Sequence, residues 1–517
     1  MTTLTTRWRR WEALVPLGLL VLAAALRLAN LATRGTWDAD QGHDMLMLRA
    51  LVRDGVIPLL GPPTSIGDVH HGALYYFLLA PAAALTGGDS PLAVVALIAL
   101  AGIAAVGLTW WLARSIAGPV AGLLAGLAMA ISPAAVDESS FIWNPNLIAL
   151  SSAIALAGAW HAWTTRRPAW WLLAALGTAV TMQSHVLGVT LLPVVAALLV
   201  ADVRRRVAAS ERMALIRVAL AGLAIIALSF LPLAIHELTT NFSEIQAALT
   251  YLRAGGNPAR LDFVPRFLVI ASRIISWPLV GLISAGLAAA VVAIFGVLGL
   301  AIWRFIAATG EERIAVRWLA LGLAWTTLAL TVISPSLATV VDGLPNDHYH
   351  AFADPMVFVL VGVGAGALWR AGGVAPGRLI TGAGMVAIVA WGATHQPPAV
   401  AADGGFPAAD AAAARIQAAA GDGLIELRSL PDFKSAEAYG YPLVRAGRSV
   451  ELTASTVDTP GTLVVVCDSL FEAAIGAPCG GSAEATIAPP DRYGAPVDRF
   501  RAAPRQTISV YRTPATP

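Results

Sequence analysis

Lysine is nearly missing from this 517-residue chain: Lys434 is the sole one, so arginine carries almost the whole cationic inventory. Charge of either sign is sparse. Lys plus Arg total 34 and Asp plus Glu 32, or 13% of residues, against about 25% in soluble domains. A soluble fold of this size has more surface than so few charges can cover. That excludes an ordinary cytosolic enzyme, a disordered chain and a nucleic-acid binder as leading readings. Cysteine is confined to Cys467 and Cys479, and no internal repeat or heptad pattern recurs. What abounds is apolar surface: 57% of residues are hydrophobic and the mean hydropathy is +0.70. The solvent for most of the chain is lipid.

Apolar runs of about 20 residues, the length a helix needs to cross a bilayer, recur along the chain. The first, over 12–32, is too lightly punctuated for a cleaved signal and is read as a retained span. Ten more are expected near 90–113, 118–133, 147–164, 168–184, 186–203, 214–235, 277–303, 318–334, 351–369 and 379–395. Arg7, Arg9 and Arg10 precede the first. Arg114, Arg166 with Arg167, Arg204 to Arg206, Arg304 with Arg313 and Arg317, and Arg370 with Arg378 fall at every second connection. The positive-inside rule puts these in the cytoplasm together with the N-terminus. Segments 33–89, 134–146, 183–186, 236–276, 335–350 and the tail after 395 then face outward. The expected architecture is an all-α polytopic membrane protein of about eleven spans, residues 1–395, with a small extracytoplasmic α/β domain over 396–517. Short β-type runs at 423–428, 462–467 and 506–511 and a helical stretch at 408–420 support that domain. Cys467 and Cys479 would form a disulfide in an oxidising compartment or remain two thiols.

Uncommon polar groups gather in the outward connections. The first carries Trp37-Asp38-Ala39-Asp40-Gln41-Gly42-His43-Asp44, then Gly67-Asp68-Val69-His70-His71-Gly72-Ala73-Leu74-Tyr75-Tyr76. Its apolar run 73–85 is too short to span and should lie along the interface, with Tyr75 and Tyr76 at the headgroups. The second carries Asp137, Glu138 and Trp143-Asn144-Pro145-Asn146; the third, Gln183, Ser184 and His185. The fourth carries His236, Glu237, Arg253, Arg260, Arg266 and Arg273; the fifth, Asp342, Asn346, Asp347, His348, Tyr349 and His350. Eight of the nine histidines fall at outward ends, all but His161. Each feature has a bland alternative: Asp38, Asp40 and Asp44 as a helix cap cluster, Asn144-Pro145 as a turn, Asp137 and Glu138 as solvated loop. The bland account must be repeated for five connections, which favours one outward polar site.

At these residues the sequence resembles the GT-C superfamily of membrane glycosyltransferases, nearest the protein O-mannosyltransferase and aminoarabinose-transferase type. The acidic pair of the first loop corresponds to Asp40-Gln41-Gly42, and the His-Pro-Pro-Leu-Tyr-Tyr segment to His70-His71-Gly72-Ala73-Leu74-Tyr75-Tyr76. Trp143–Asn146, His185, and His348-Tyr349 with Pro355 match the remaining motifs, so the resemblance covers roughly 10–370. It departs at Gln41, which stands where an acid is common, and at Ser139, Ser140 and Asn144, where relatives hold an arginine or aspartate.

The resemblance implies transfer of a sugar from a polyprenyl-phosphate donor to an envelope acceptor (protein, glycan or lipid) outside the plasma membrane of a bacterium, with inversion. Asp40 is the expected general base and Asp38 the second choice. His70, His71, Tyr75, Asn144, His185, Glu237, Arg260, Arg266, His348 and His350 are expected to meet the donor phosphate and sugar, with Arg253 and Arg273 as further cations. A divalent metal is a possible cofactor, with Asp40, His70 and His348 as its ligands. Three rivals stand beside this: a transporter or flippase of lipid-linked sugars, whose polar groups belong near mid-membrane, a non-catalytic assembly or sensor protein, and a ligase transferring a whole oligosaccharide.

Overall fold

The computed structural model describes residues 2–64, 69–254, 260–282, 284, 286–339, 347–371, 376–432, 436–452 and 461–512, with side chains from Leu14 onward. Gly67, Asp68, Asp342 and Asn346 of the loops above lie outside the described residues. The helices used below are α1 (Thr2–Leu28), α2 (Ala39–Arg49), α3 (Leu74–Ala84), α4 (Pro91–Ala117), α5 (Pro119–Ile131), α6 (Ile148–Thr165), α7 (Trp170–Ser184), α8 (Leu191–Arg205), α9 (Ala209–Ser229), α10 (Leu231–Thr239), α11 (Ser243–Arg253), α12 (Phe263–Val280), α13 (Leu287–Ala307), α14 (Gly310–Ile333), α15 (Asp354–Ala371), α16 (Pro376–Thr394), α17 (Gly405–Ala419) and α18 (Ala436–Arg445).

Among the described residues, nine helical segments are long and apolar enough to cross a bilayer. Eight coincide with expected spans. The run expected at 12–32 lies in the 27-residue α1, and those expected at 118–133 and 168–184 form the shorter helices α5 and α7. The ninth segment, α12, was expected to be loop, and the span expected at 277–303 begins only at Leu287.

Contacts between connections define two ends. At one, Arg166 pairs with Glu211 at 3.0 Å and Arg206 donates to the Arg166 carbonyl at 3.1 Å. At the same end Arg304 pairs with Glu312 at 2.6 Å, and Arg370 bonds the Ala117 carbonyl at the close of α4. A cation there meets the partial negative charge of a helix C-terminus. At the other end buried Arg27 donates to the carbonyls of Ala130 (2.9 Å) and Met129 (3.1 Å), closing α5 in the same way. Helix α12 finds its partners Glu138, Asp347 and Trp391 at this second end. It therefore lies against that end, although its length would let it span. Since α9 leaves the arginine end and α13 returns to it, the segment between them must begin and finish at one end, as a helix held there does.

The C-terminal part forms a five-stranded sheet from β1 (Ile425–Leu430), β2 (Val450–Glu451), β3 (Thr462–Asp468), β4 (Asp498–Ala503) and β5 (Gln506–Arg512). The order is β2-β1-β3-β5-β4, parallel between β1 and both its neighbours and antiparallel among β3, β5 and β4. Strand β3 is buried along its whole length, as a central strand of apolar residues should be. Cys467 at its end is disulfide-bonded to Cys479. On the side facing the bundle the sheet packs on α17 and α18, and this core runs on into the first loop. Val464, Val466, Ile508 and Val510 belong to one apolar cluster with Trp37, Met45, Leu48, Tyr75 and Tyr76 of the first loop.

Candidate active site

The acidic stretch of the first loop becomes α2 because Asp38 caps it. Asp38 accepts from the Ala39 N–H at 2.8 Å, and the side-chain Oε1 of Gln41 accepts from the Asp38 N–H at 2.8 Å, a reciprocal capping box. Gln41 also donates to the Ile142 carbonyl at 2.9 Å. The amide standing at the second acidic position thus ties α2 to the second connection, using both its donor and its acceptor. Asp40, in the first turn, remains half-buried.

One turn on, Asp44 is fully buried. The hydroxyls of Tyr75 and Tyr76 donate to its two oxygens at 2.8 and 2.9 Å. Both tyrosines were expected at the headgroups; they are instead sealed inside, because an aspartate in an apolar cluster needs donors. Tyr75 therefore serves Asp44 rather than the donor. Burial pushes the Asp44 carboxyl up to about 8, the tyrosine hydrogen bonds pulling it back and Asp40 adding to the rise. The folded state then holds a proton that the unfolded chain releases near pH 4, so between about pH 4 and 8 stability falls as pH rises. Asp44→Asn, neutral throughout, should flatten the dependence of detergent melting temperature on pH between 5 and 8.5. An unchanged slope would remove Asp44 as the titrating group.

The antiparallel bridge between Pro63 and His70 leads into two histidines. The His70 N–H donates to Glu244 at 2.7 Å and its Nδ1 lies 2.9 Å from the other Glu244 oxygen. Gly72 follows because a Cβ there would meet Gln183 Oε1 at 1.8 Å; its N–H donates to the Gln183 carbonyl at 3.0 Å. This close approach docks the first loop on the third connection. His71 Nδ1 accepts from the Val186 N–H at 3.3 Å and His185 Nδ1 from the Leu187 N–H at 3.2 Å. Burial lowers His71 to about 3, with His70 adding, and holds His185 well down, with His71 and His348 adding. Both are neutral rings whose Nε2 carries the proton.

The histidine rings adjoin one another. His71 and His185 are 4.8 Å apart between centroids, His185 and Tyr349 4.8 Å, and His185 and His348 6.0 Å. Trp143 packs on His348 at 4.0 Å, and Asn144 donates to the Ser184 carbonyl at 2.5 Å. Below them Arg273 grips Asp347, Nε to Oδ1 at 2.8 Å, and donates to the carbonyl of Thr339 at 3.0 Å; His350 Nε2 approaches Asp347 at 3.1 Å.

Asp38, Asp40, His70, His71, Asn144, His185, His348 and His350 are therefore gathered at one end. Besides Tyr75, three expected contributors sit elsewhere or do something else. Glu237 accepts from the N–H groups of Glu244 (3.0 Å) and Ile245 (3.3 Å), so it caps α11 instead of lining a sugar pocket. Arg260 is exposed just ahead of α12. Arg273 is occupied by Asp347. Arg266, two helical turns before Arg273 and so on its face, keeps a buried Nε without a partner among the described residues. Glu138, expected as solvated loop, accepts from Trp277 at 3.3 Å. Glu244 escaped the sequence reading; the signal for it was the helical apolar period of Ile245, Leu249 and Leu252 within a segment read as loop. Among the described residues no three His, Cys, Asp or Glu side chains group as a metal ion requires, Asp40, His70 and His348 included.

A sequence model of the family described as dolichyl-phosphate-mannose-protein mannosyltransferase matches residues 70–230. No curated protein matches the chain in sequence. Solved structures do. ArnT from Cupriavidus metallidurans in the apo state is 13% identical with a TM-score of 0.57, covering 98% of each chain. The same protein bound to undecaprenyl phosphate gives 12% and 0.56 over 98% of each chain. The oligosaccharyltransferase AglB from Archaeoglobus fulgidus, in complex with an inhibitory peptide and a dolichol-phosphate, gives 13% and 0.54 over 98% of this chain and 74% of that one. The chain thus has the GT-C membrane glycosyltransferase fold, of the kind seen in bacterial ArnT, and carries the pattern of the mannosyltransferase family across residues 70–230.

Proposed function

We propose that this protein transfers a sugar from a polyprenyl-phosphate carrier to a hydroxyl of an envelope acceptor, with inversion, on the extracytoplasmic face of a bacterial plasma membrane. Residues 1–395 form the transmembrane catalytic part and 396–517 an outer domain. The observation that carries this reading is the convergence of five separate connections on one polar end, opposite the end where Arg166, Arg206, Arg304 and Arg370 lie. A transporter would place such groups near mid-membrane. Asp40 takes the acceptor proton as its oxygen attacks the anomeric carbon, and Asp38 holds the helix that aims it. The carbon–oxygen bond to phosphate breaks as the new one forms, and the leaving phosphate gathers negative charge. Neutral His71 and His185 offer Nε2–H donors there without the cost of a buried cation, and His70, His348 and His350 extend that donor wall. Arg266 supplies permanent charge at the rim. Asn144 joins the second and third connections behind this wall.

The test is a transfer assay on purified protein, offering radiolabelled polyprenyl-phosphate sugars with an envelope extract to wild type and Asp40→Asn. Label reaching an acceptor with wild type alone is the expected result; donor binding with no transfer by wild type speaks for a carrier. Orientation has its own check. Both natural cysteines are bridged, so single new thiols report cleanly. Val56→Cys in the first loop, at a side chain 53% exposed, should react with an impermeant thiol reagent added outside intact cells. Val207→Cys beside Arg206, at a position 91% exposed, should not. The reverse pattern would invert the topology.

A further inference from the structure

The backbone around His70 leaves its N–H unclaimed. Bonds from the Thr64 N–H to the Val69 carbonyl (2.8 Å) and from the His71 N–H to the Pro62 carbonyl (2.9 Å) flank the Pro63–His70 pair. That pair therefore exchanges no bond of its own, and the His70 N–H points out of the ladder. Glu244 takes it at 2.7 Å with one carboxylate oxygen and meets Nδ1 of the same residue with the other at 2.9 Å. A carboxylate only accepts, so the nitrogen facing it carries the proton. His70 is thus protonated at Nδ1, the reverse of His71 and His185, whose Nδ1 atoms accept from backbone N–H groups. Helix α11 fixes how Glu244 arrives. Ile245, Leu249 and Leu252 recur at helical spacing and are exposed, while Glu244 is buried against His70. Glu237 holds the first turn by accepting from the Glu244 and Ile245 N–H groups, and the Ser243 hydroxyl lies 3.1 Å from His236 Nε2. A carboxylate on a helix capped in this way has a defined place, 174 residues along the chain from the ring it meets.

We infer that Glu244 is a positioning residue of the site: reaching across from α11, it holds the His70 imidazole by Nδ1 and leaves Nε2 as the nitrogen that meets the donor phosphate. The partner of one ring nitrogen decides what the other does. With Nδ1–H committed to Glu244, Nε2 faces away from α11. It donates when the ring takes its second proton, for which Glu244 is the counter-charge. His70 so differs in kind from His71 and His185, which donate as neutral rings. That His70 meets the donor rests on the function proposed above; its pairing with Glu244 does not. The pairing also gives α11 a purpose, since the segment between α9 and α12 then carries an orienting group to the first loop.

The ring is read directly in full-length protein labelled with 15N-histidine, compared as wild type, Glu244→Ala and Glu244→Met, with His70→Gln assigning the signal. Wild type should show His70 protonated at Nδ1, and His71 and His185 not. Glu244→Ala should shift the His70 ring nitrogens. Glu244→Met, which keeps the side-chain length and suits a helix but accepts nothing, should do the same and guards against a Glu244→Ala protein that fails to fold. A His70 signal unmoved in both variants, or a wild-type His70 bare at Nδ1, overturns the inference. In the transfer assay Glu244→Met should lower kcat about tenfold with KM little changed, since a misplaced group costs rate more than binding. The loss should run through His70, so the double variant His70→Ala/Glu244→Met should transfer within about twofold of His70→Ala alone. A further drop of about tenfold in the double variant, the additive result, or a raised KM at unchanged kcat, overturns positioning. If wild type transfers nothing, the glycosyltransferase reading fails, and the histidine spectrum alone decides whether Glu244 holds the ring.

Discussion

Asp40→Asn is expected to reduce sugar transfer by about 10²- to 10⁴-fold, the span that a positioned general base contributes. The amide keeps the volume of the carboxylate and sits in a helix already capped by Asp38 and Gln41, so folding and insertion should be unaffected. Donor binding should survive, because the base acts on the acceptor. The measurement is initial rate at saturating donor alongside detergent melting temperature. Transfer within threefold of wild type at an unchanged melting temperature would remove Asp40 as the base and turn attention to Asp38. The position is suited to the task. It is half-buried at the open end of α2, while Asp44, one turn deeper, is sealed by two tyrosines and out of an acceptor's reach.

The second large effect is on stability. Arg273 and Asp347 are both buried, and the guanidinium bonds both carboxylate oxygens as well as the carbonyls of Leu337 and Thr339. Removing one partner of a buried pair leaves a charge with no compensation, a loss of about 3–5 kcal/mol. Asp347→Asn and Arg273→Met should each fold poorly and melt well below wild type. The double variant Arg273→Met/Asp347→Asn, which buries no charge there, should recover much of that loss, a coupling that a double-mutant cycle reads out. Single variants that melt with wild type would show that the pair is not a structural clamp. The clamp matters to the site because Asp347 immediately precedes His348, and α12, the helix that carries Arg273, closes the polar end.

Much of the membrane architecture was legible in the residues themselves. Apolar length marks a helix that must satisfy its own backbone in lipid, and eight of the nine long apolar segments stand where that rule puts them. The alternation of arginine-bearing connections anticipated the two ends, and the one-sidedness of the histidines anticipated which end is polar. The strands at 425–430, 462–468 and 506–512 were readable from β-type runs close to those bounds. Helix α12 was not, although its 18 residues are as apolar as those of several spans: Arg266 and Arg273 marked 236–276 as a polar connection, and only the tertiary neighbours of Arg273 explain its place.

What composition and spacing could not reach was who meets whom. Tyr75 and Tyr76 have the amphipathic character of interfacial residues, yet the need of buried Asp44 for two donors draws them inward. Glu237 looks like a sugar ligand and caps a helix; Glu244 looks like surface charge and holds His70. Gln41 reads as a lost acid and is a capping group. The sequence by itself determined the lipid solvent, the helical spans, the polar end and the strands of the outer domain, because each rests on local periodicity or on charge counted along the chain. The tertiary structure alone decided the pairings across hundreds of residues, Arg273 with Asp347, His70 with Glu244 and Gly42 against Glu437, because burial makes a polar group seek whichever partner the packing brings within reach.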